Sequence, residues 1–278
     1  MTAFVIFNPN SNGGRTGRDW REIEDALERV FPLMSFFVTS APAQAAHMVR
    51  DALRDGHMEI IAVGGDGTIN EALNGFFDHG HPVSPDAVFS FVHNGHEALL
   101  PGRFGLAAGW REGVAHLGKA KVRKVDVGRV SCLSAEGAPV TRHFLGAASL
   151  GLTADIARRL GAARISKFFG HAFTVGLHAR MARLGWRARR VRLMAGTADE
   201  IAGIASVTLV PRGQAFDLAV LDGGQGLTGA ARGLRAGRLT AAPTVDTKGR
   251  VAVETDGESV GFLPATFEIL PSALNLRV

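Results

Sequence analysis

The sequence predicts an α/β fold: an N-terminal parallel-sheet domain of the nucleotide-binding kind, then a mainly antiparallel, β-rich C-terminal domain. Three observations carry this. Through about residue 120, short apolar runs alternate with segments of helical spacing. Those runs are continuously apolar, as strands covered on both faces are. Beyond residue 120, β-like runs separated by turn residues dominate. The expected division is 1–120 and 121–278, with the C-terminal end free to pack back on the first domain.

AFVIF (3–7) is the first strand. It lacks a basic flank and meets Asn8-Pro9, which reads as a strand and not a signal peptide. Trp20, Ile23, Ala26, Leu27 and Val30 then recur at helical spacing. MSFFV (34–38) is the second strand. Ser40 and Pro42 open a helix whose apolar face is Ala45, Ala46, Met48, Val49, Ala52 and Leu53, and Gly56 closes it. A strand at 58–63, a helix over about 69–77 and a strand at 87–92 follow. The later β-like runs begin at VRKVDVGRV (122–130) and end at ATFEILPSALNLRV (265–278). Helical spacing interrupts them near 153–160, 168–184 and 227–236.

The bulk composition excludes several classes. Of the 278 residues, 46% are hydrophobic and 21% charged, which suits one large or two ordinary globular domains. No apolar stretch is long enough for a transmembrane helix. A single cysteine, Cys132, rules out internal disulfides and fits a reducing cytoplasm. The histidines form no metal-binding pattern. The net charge of +5 is uneven: residues 156–193 hold 10 Lys/Arg and no Asp or Glu, leaving 21 basic against 26 acidic elsewhere. Apolar residues interleave with these cations. That mixture reads as core plus a surface for anionic membrane, or a solvated helix face, rather than a nucleic-acid tail.

Three segments could carry chemistry. NPNSNGGRTG (8–17) lies between a strand and a helix, where backbone N–H groups can surround an anion; a plain Asn/Gly loop is the alternative. GGDGTINE (64–71) sits at the corresponding end of another strand. Gly64 and Gly65 leave space above the chain, and Asp66 can hold Mg²⁺ or fix the loop. Thr68 and Glu71 have capping-box spacing and can simply start a helix. Neither segment matches the commonest phosphate-loop patterns. TDGES (255–259) puts Asp256 and Glu258 two apart, on one face if extended, where mutual repulsion suits a general base; a hairpin turn at Asp256-Gly257 is the alternative.

Together these segments resemble the diacylglycerol kinase catalytic-domain family, which includes bacterial lipid kinases and sphingosine kinases. NPNSNGG is similar to that family's NPxSGxG loop, and AVGGDGTINEALNGF to its signature. VRKVDVGRV, FLGAASLGLTADIA and TDGESVGFLPATFEILPSALNLRV follow later blocks in order. The resemblance implies a nucleotide domain like that of NAD kinases, and ATP and Mg²⁺ as cofactors. It implies phosphate contacts from Gly64, Gly65, Asp66, Gly67 and Thr68, with Glu71 in the same segment. Asn8, Ser11, Gly13 and Gly14 assist, and Thr39 contacts the nucleotide. Asp66 would bear on the metal, Asp256 would be the base and Glu258 its support.

Two blocks depart from the family pattern. FVHNGHEALLPG (91–102) stands where PxGTGNDFAR is expected; Gly95 is retained and Glu97 takes the aspartate's place, while His93, Asn94 and His96 replace Gly, Thr and Asn. A GGG-containing block and a DDG are missing around 206–223. The function implied is an ATP-dependent lipid kinase, cytoplasmic or peripheral on the inner membrane surface through 156–193, with a lipid substrate and no nucleic-acid partner. A homodimer stays open. So do a catalytically impaired lipid- or nucleotide-binding relative and a kinase for a soluble acceptor.

Overall fold

A computed structural model describes residues 2–95, 99–107, 109–163, 189–222 and 232–278. The chain forms two compact units, Met1–Val125 with Ser272–Val278, and Asp126–Pro271.

The first unit alternates β1 (Thr2–Phe7), α1 (Ser11–Val30), β2 (Leu33–Val38), α2 (Gln44–Arg54), β3 (Glu59–Gly64) and α3 (Asp66–Gly75). A small ladder of β4 (Phe77–Asp78) and β5 (His81–Pro82) leads to β6 (Val88–His93), α4 (Leu99–Phe104) and α5 (Trp110–Leu117). The strands run parallel in the order β2-β1-β3-β6. Every residue of the central β3 is buried, as its continuous apolar character requires. On one face Val5, Ile61 and Val92 pack with Ile23 and Leu27 of α1 and with Trp110, Val114 and Leu117 of α5. The helical spacing of α1 is thereby explained: its buried positions are the ones that meet the sheet.

The second unit contains most of β7 (Val122–Leu133), then β8 (Pro139–Phe144), β9 (Ala148–Gly151), α6 (Leu152–Ala163), β10 (Arg189–Ala195), β11 (Ala198–Arg212) and β12 (Ala215–Asp222). β13 (Arg232–Ala236), β14 (Arg238–Pro243), β15 (Ala252–Thr255) and the greater part of β16 (Glu258–Arg277) complete it. Its ladders are antiparallel, and six of them close a ring: β11-β10-β14-β16-β15-β9 and back to β11. Ring closure leaves those strands no free edge. Val191, Leu193, Val207, Leu209, Leu239, Val253 and Phe267 belong to its apolar core.

The last residues of β16 return to the first unit, where Asn275 and Leu276 pair in parallel with Val88 and Phe89 of β6. Arg277 grips Glu59 there with two hydrogen bonds, Nε to Oε1 at 3.0 Å and a terminal nitrogen to Oε2 at 2.5 Å. Ser90 donates a further bond to Glu59 Oε1 at 2.7 Å.

One expectation needs correction. Helical spacing over 227–236 predicts a helix, but Arg232–Ala236 are strand β13, paired with β12. Ladder pairing outweighs the helix propensity of an Ala/Leu/Arg-rich stretch. The rest of that stretch below 232, and the helix expected at 168–184, lie outside the described residues. Among the described residues no helix is long and apolar enough to cross a membrane.

Candidate functional site

In the first unit, three loops leave the carboxyl ends of neighbouring parallel strands, where ligands of such sheets bind. They follow β1, β3 and β6 and are fastened to one another. Asn8 Nδ2 donates to Thr68 Oγ1 at 3.3 Å, joining the first loop to the second. The Asn94 amide donates to Gly64 O at 2.8 Å, joining the third. Ser11 donates to Thr16, whose hydroxyl donates to Asn94 O at 3.3 Å. Asn12, Gly13 and Gly14 all take left-handed backbone (φ 53°, 63° and 83°), so α1 opens with a reversed turn before winding normally.

α3 begins two residues before the expected cap. Gly65 is its N-cap in extended backbone, and Asp66 occupies the first turn, where a carboxylate complements the helix dipole. Thr68 and Glu71 therefore lie inside the helix and do not form its capping box. Glu71 instead accepts the Ala45 amide at 2.9 Å, serving the start of α2. The N-cap of α3 is a glycine and so brings no side-chain cap of its own, an arrangement in which first-turn amides can receive an anion. Among the described residues nothing lies within 4 Å of where a Cβ would stand on Gly65 or on Gly13, so with respect to those residues both loops have open space above them.

Gly64 is the opposite case. A Cβ there would meet Thr68 Cβ and Oγ1 at 2.7 Å. Gly64→Ala is expected to displace Thr68 and cost about 1–3 kcal/mol of stability. Urea unfolding checks this; wild-type stability would contradict the close Gly64–Thr68 contact.

Asp66 Oδ1 accepts the Leu100 amide at 3.4 Å and lies 3.4 Å from His93 Nε2. His93, which replaces an expected glycine, is 2% exposed. Its ring is buried beside Gly95 and Asp66. Thr39, at the end of β2, is buried and donates its hydroxyl to Phe7 O at 3.3 Å. Glu97 lies outside the described residues.

In the second unit, Asp256 and Gly257 are the two-residue tip of the β15–β16 hairpin, both left-handed (φ 49° and 83°), with Thr255 opposite Glu258. The turn alternative is the one realised, and the expectation of two carboxylates on one strand face is corrected. Asp256 is 3% exposed while Glu258 is exposed. The Asp256 carboxylate accepts three successive backbone amides: Gly146 and Ala147 on Oδ1 at 2.8 and 3.0 Å, and Leu145 on Oδ2 at 3.1 Å. The Asp256 amide in turn donates to Ala147 O at 2.8 Å.

One group the sequence reading missed is Glu254. It faces Ser149 across the β15–β9 ladder, accepts the Ser149 hydroxyl at 2.5 Å on Oε1 and the Gly257 amide at 2.8 Å on Oε2. Burial pushes its carboxyl up to about 7; Ser149 and the Gly257 amide oppose this, and the charges of Asp256 and Glu258 add to it. A lone carboxylate inside the apolar run VAVET was the available signal.

Among the described residues no group of three or more His, Cys, Asp or Glu could hold a metal ion. Most of the basic segment, 164–188, lies outside the described residues. Of its described arginines, Arg190 pairs with Asp246, Arg192 with Asp199, and Arg189 donates to Lys248 O. Exposed pairs of this kind contribute little to stability, yet they spend charge a membrane would otherwise meet.

Comparison with known proteins bears most directly on the first unit of the chain. Residues 2–130 match the diacylglycerol kinase catalytic domain family. A curated protein of Streptococcus pneumoniae, provisionally named a lipid kinase, is 34% identical over 74 residues, which cover 26% of this chain and 25% of that protein. A diacylglycerol kinase structure from Bacillus anthracis superposes with TM-score 0.72 at 18% identity, over 99% of this chain and 96% of the other. Yeast NADH kinase complexed with NADH does so with TM-score 0.57 at 10% identity, over 99% and 82%. At such identities the structural likenesses speak for the fold alone.

Proposed function

Given that residues 2–130 match the diacylglycerol kinase catalytic domain, we propose that the protein is an ATP- and Mg²⁺-dependent lipid kinase phosphorylating a hydroxyl of a diacylglycerol- or sphingoid-like lipid. The observation that carries this reading is the β3–α3 junction: an uncapped helix N-terminus beneath an open glycine, at the carboxyl end of a buried parallel strand. Those residues fit a polyphosphate, since first-turn amides and a Cβ-free approach are what phosphate oxygens need.

Gly64, Gly65, Gly67 and Thr68 form the cradle, and Asn8 steadies it through Thr68. Mg²⁺ at nucleotide sites takes one or two carboxylates plus phosphate oxygens, and Asp66 is the carboxylate in this loop. When bound, ATP would supply the γ-phosphoryl group and leave as ADP, and Mg²⁺ would supply charge that offsets the phosphates. The Asp256 carboxylate receives the proton of the lipid hydroxyl, and Glu258 supports it. The basic segment 156–193 brings the enzyme to an anionic bilayer, at about 1 kcal/mol per well-placed cation.

The test is transfer from γ-labelled ATP to a panel of diacylglycerols, sphingoid bases and NAD, with lipids offered in anionic vesicles. Labelled phospholipid, formed less readily as salt is added, is the expected result. ATP binding without transfer to any acceptor would sink the kinase reading. It would favour a nucleotide-binding relative, for which the His93 and Asn94 replacements are the specific observation. Transfer to NAD alone would reassign the acceptor.

A further inference from the structure

Asp256 can act only where its turn holds it, and a non-glycine residue in left-handed backbone needs outside support. The amides of residues 145–147 hold its side chain. The turn itself is held by the neighbouring carboxyl: Glu254, itself only 6% exposed, ties the Gly257 amide at the tip to Ser149 on β9. We propose that Glu254 is the positioning residue of the base Asp256: its carboxyl braces the Asp256 turn and, through its charge, sets how strongly Asp256 draws the substrate proton. This inference rests on the reading of Asp256 as that base.

Ser149 makes the brace work in both protonation states. A hydroxyl donates to a carboxylate or accepts from a carboxylic acid, and the Gly257 amide donates in either case. The strut therefore survives titration while its charge does not. Ionised Glu254 places a second negative charge beside Asp256, strengthening the pull on the proton. The charged and titratable groups of the surrounding elements are Asp256 and Glu258 at the tip, Asp155 and Arg158 on α6, and Arg142 and His143 on β8. With Glu254 poised at about 7, activity should rise as pH passes from 6 to 8.

Glu254→Gln keeps the shape and both hydrogen bonds but is neutral at every pH. It should lower kcat for lipid phosphorylation about tenfold at pH 8, leave KM for ATP unchanged and flatten the limb centred near neutrality. Thermal unfolding at pH 8 should be no lower than wild type, because a buried charge has been removed. Wild-type kcat with an unchanged pH profile would overturn the proposal. A second readout does not need turnover: the ¹³C carboxyl signal of Glu254 in the whole protein, followed against pH. A midpoint near neutrality that falls in Asp256→Asn supports the coupling, and one in the ordinary carboxylate range overturns it. Absent lipid phosphorylation together with a shifted, coupled Glu254 would count against the kinase reading and leave the brace standing.

Discussion

Asp256→Asn is expected to lower lipid phosphorylation by about 10²–10⁴-fold, the usual worth of a positioned general base. KM for ATP should not change, since the phosphate cradle is built from other residues. The substitution is not silent in the fold, however. Asp256 accepts on both oxygens, two amides on Oδ1 and one on Oδ2. An asparagine keeps one oxygen and turns an NH₂ toward an amide that also donates. One buried N–H then loses its acceptor, at a cost of about 1–3 kcal/mol. Urea unfolding reads that cost, and steady-state transfer from labelled ATP reads the catalytic loss. A destabilised variant with wild-type turnover per folded molecule would make Asp256 an anchor for the 145–147 amides and nothing more.

Arg277→Ala should be the costliest single change outside the site. Glu59 is 2% exposed, and Arg277 answers both of its oxygens. Removing the guanidinium leaves a buried carboxylate with, among the described residues, the Ser90 hydroxyl as its remaining side-chain partner, for about 3–5 kcal/mol. Replacing both partners together, Glu59→Leu with Arg277→Met, should cost much less, because no charge is stranded. A double-mutant cycle in urea checks this; a loss under 1 kcal/mol for Arg277→Ala would contradict it.

Much of the first unit was legible because its strands and helices advertise themselves by period. β1, β2, β3 and β6 are mainly apolar runs, β2 and β6 each interrupted by one serine (Ser35 and Ser90), and α1 and α2 show one apolar face each. α4 and α5 were missed because glycines at 102, 105, 109 and 113 mask them. The spacing of Trp110, Val114 and Leu117 could have revealed α5. The three loops could be located by residue type, since glycine and asparagine mark backbone that regular elements avoid. Their cross-links could not. Glu71 serves Ala45, and Leu145–Ala147 serve Asp256, across separations that no local pattern encodes. Glu254 escaped for a different reason: attention to pairs of carboxylates two apart favours 256 and 258, whereas the hairpin turns 254 inward and 258 outward.

The return of residues 272–278 to the first unit has a consequence during synthesis. Translation at about 5–20 residues per second spends roughly 7–30 s on residues 126–271 before Leu276 and Arg277 are made. Throughout that interval the outer edge of β6 lacks its neighbouring strand, and Glu59 waits without its counter-ion. A nascent chain of this protein therefore carries an open parallel edge while it is still being elongated, which is when a chaperone or a second nascent copy would most readily pair with it.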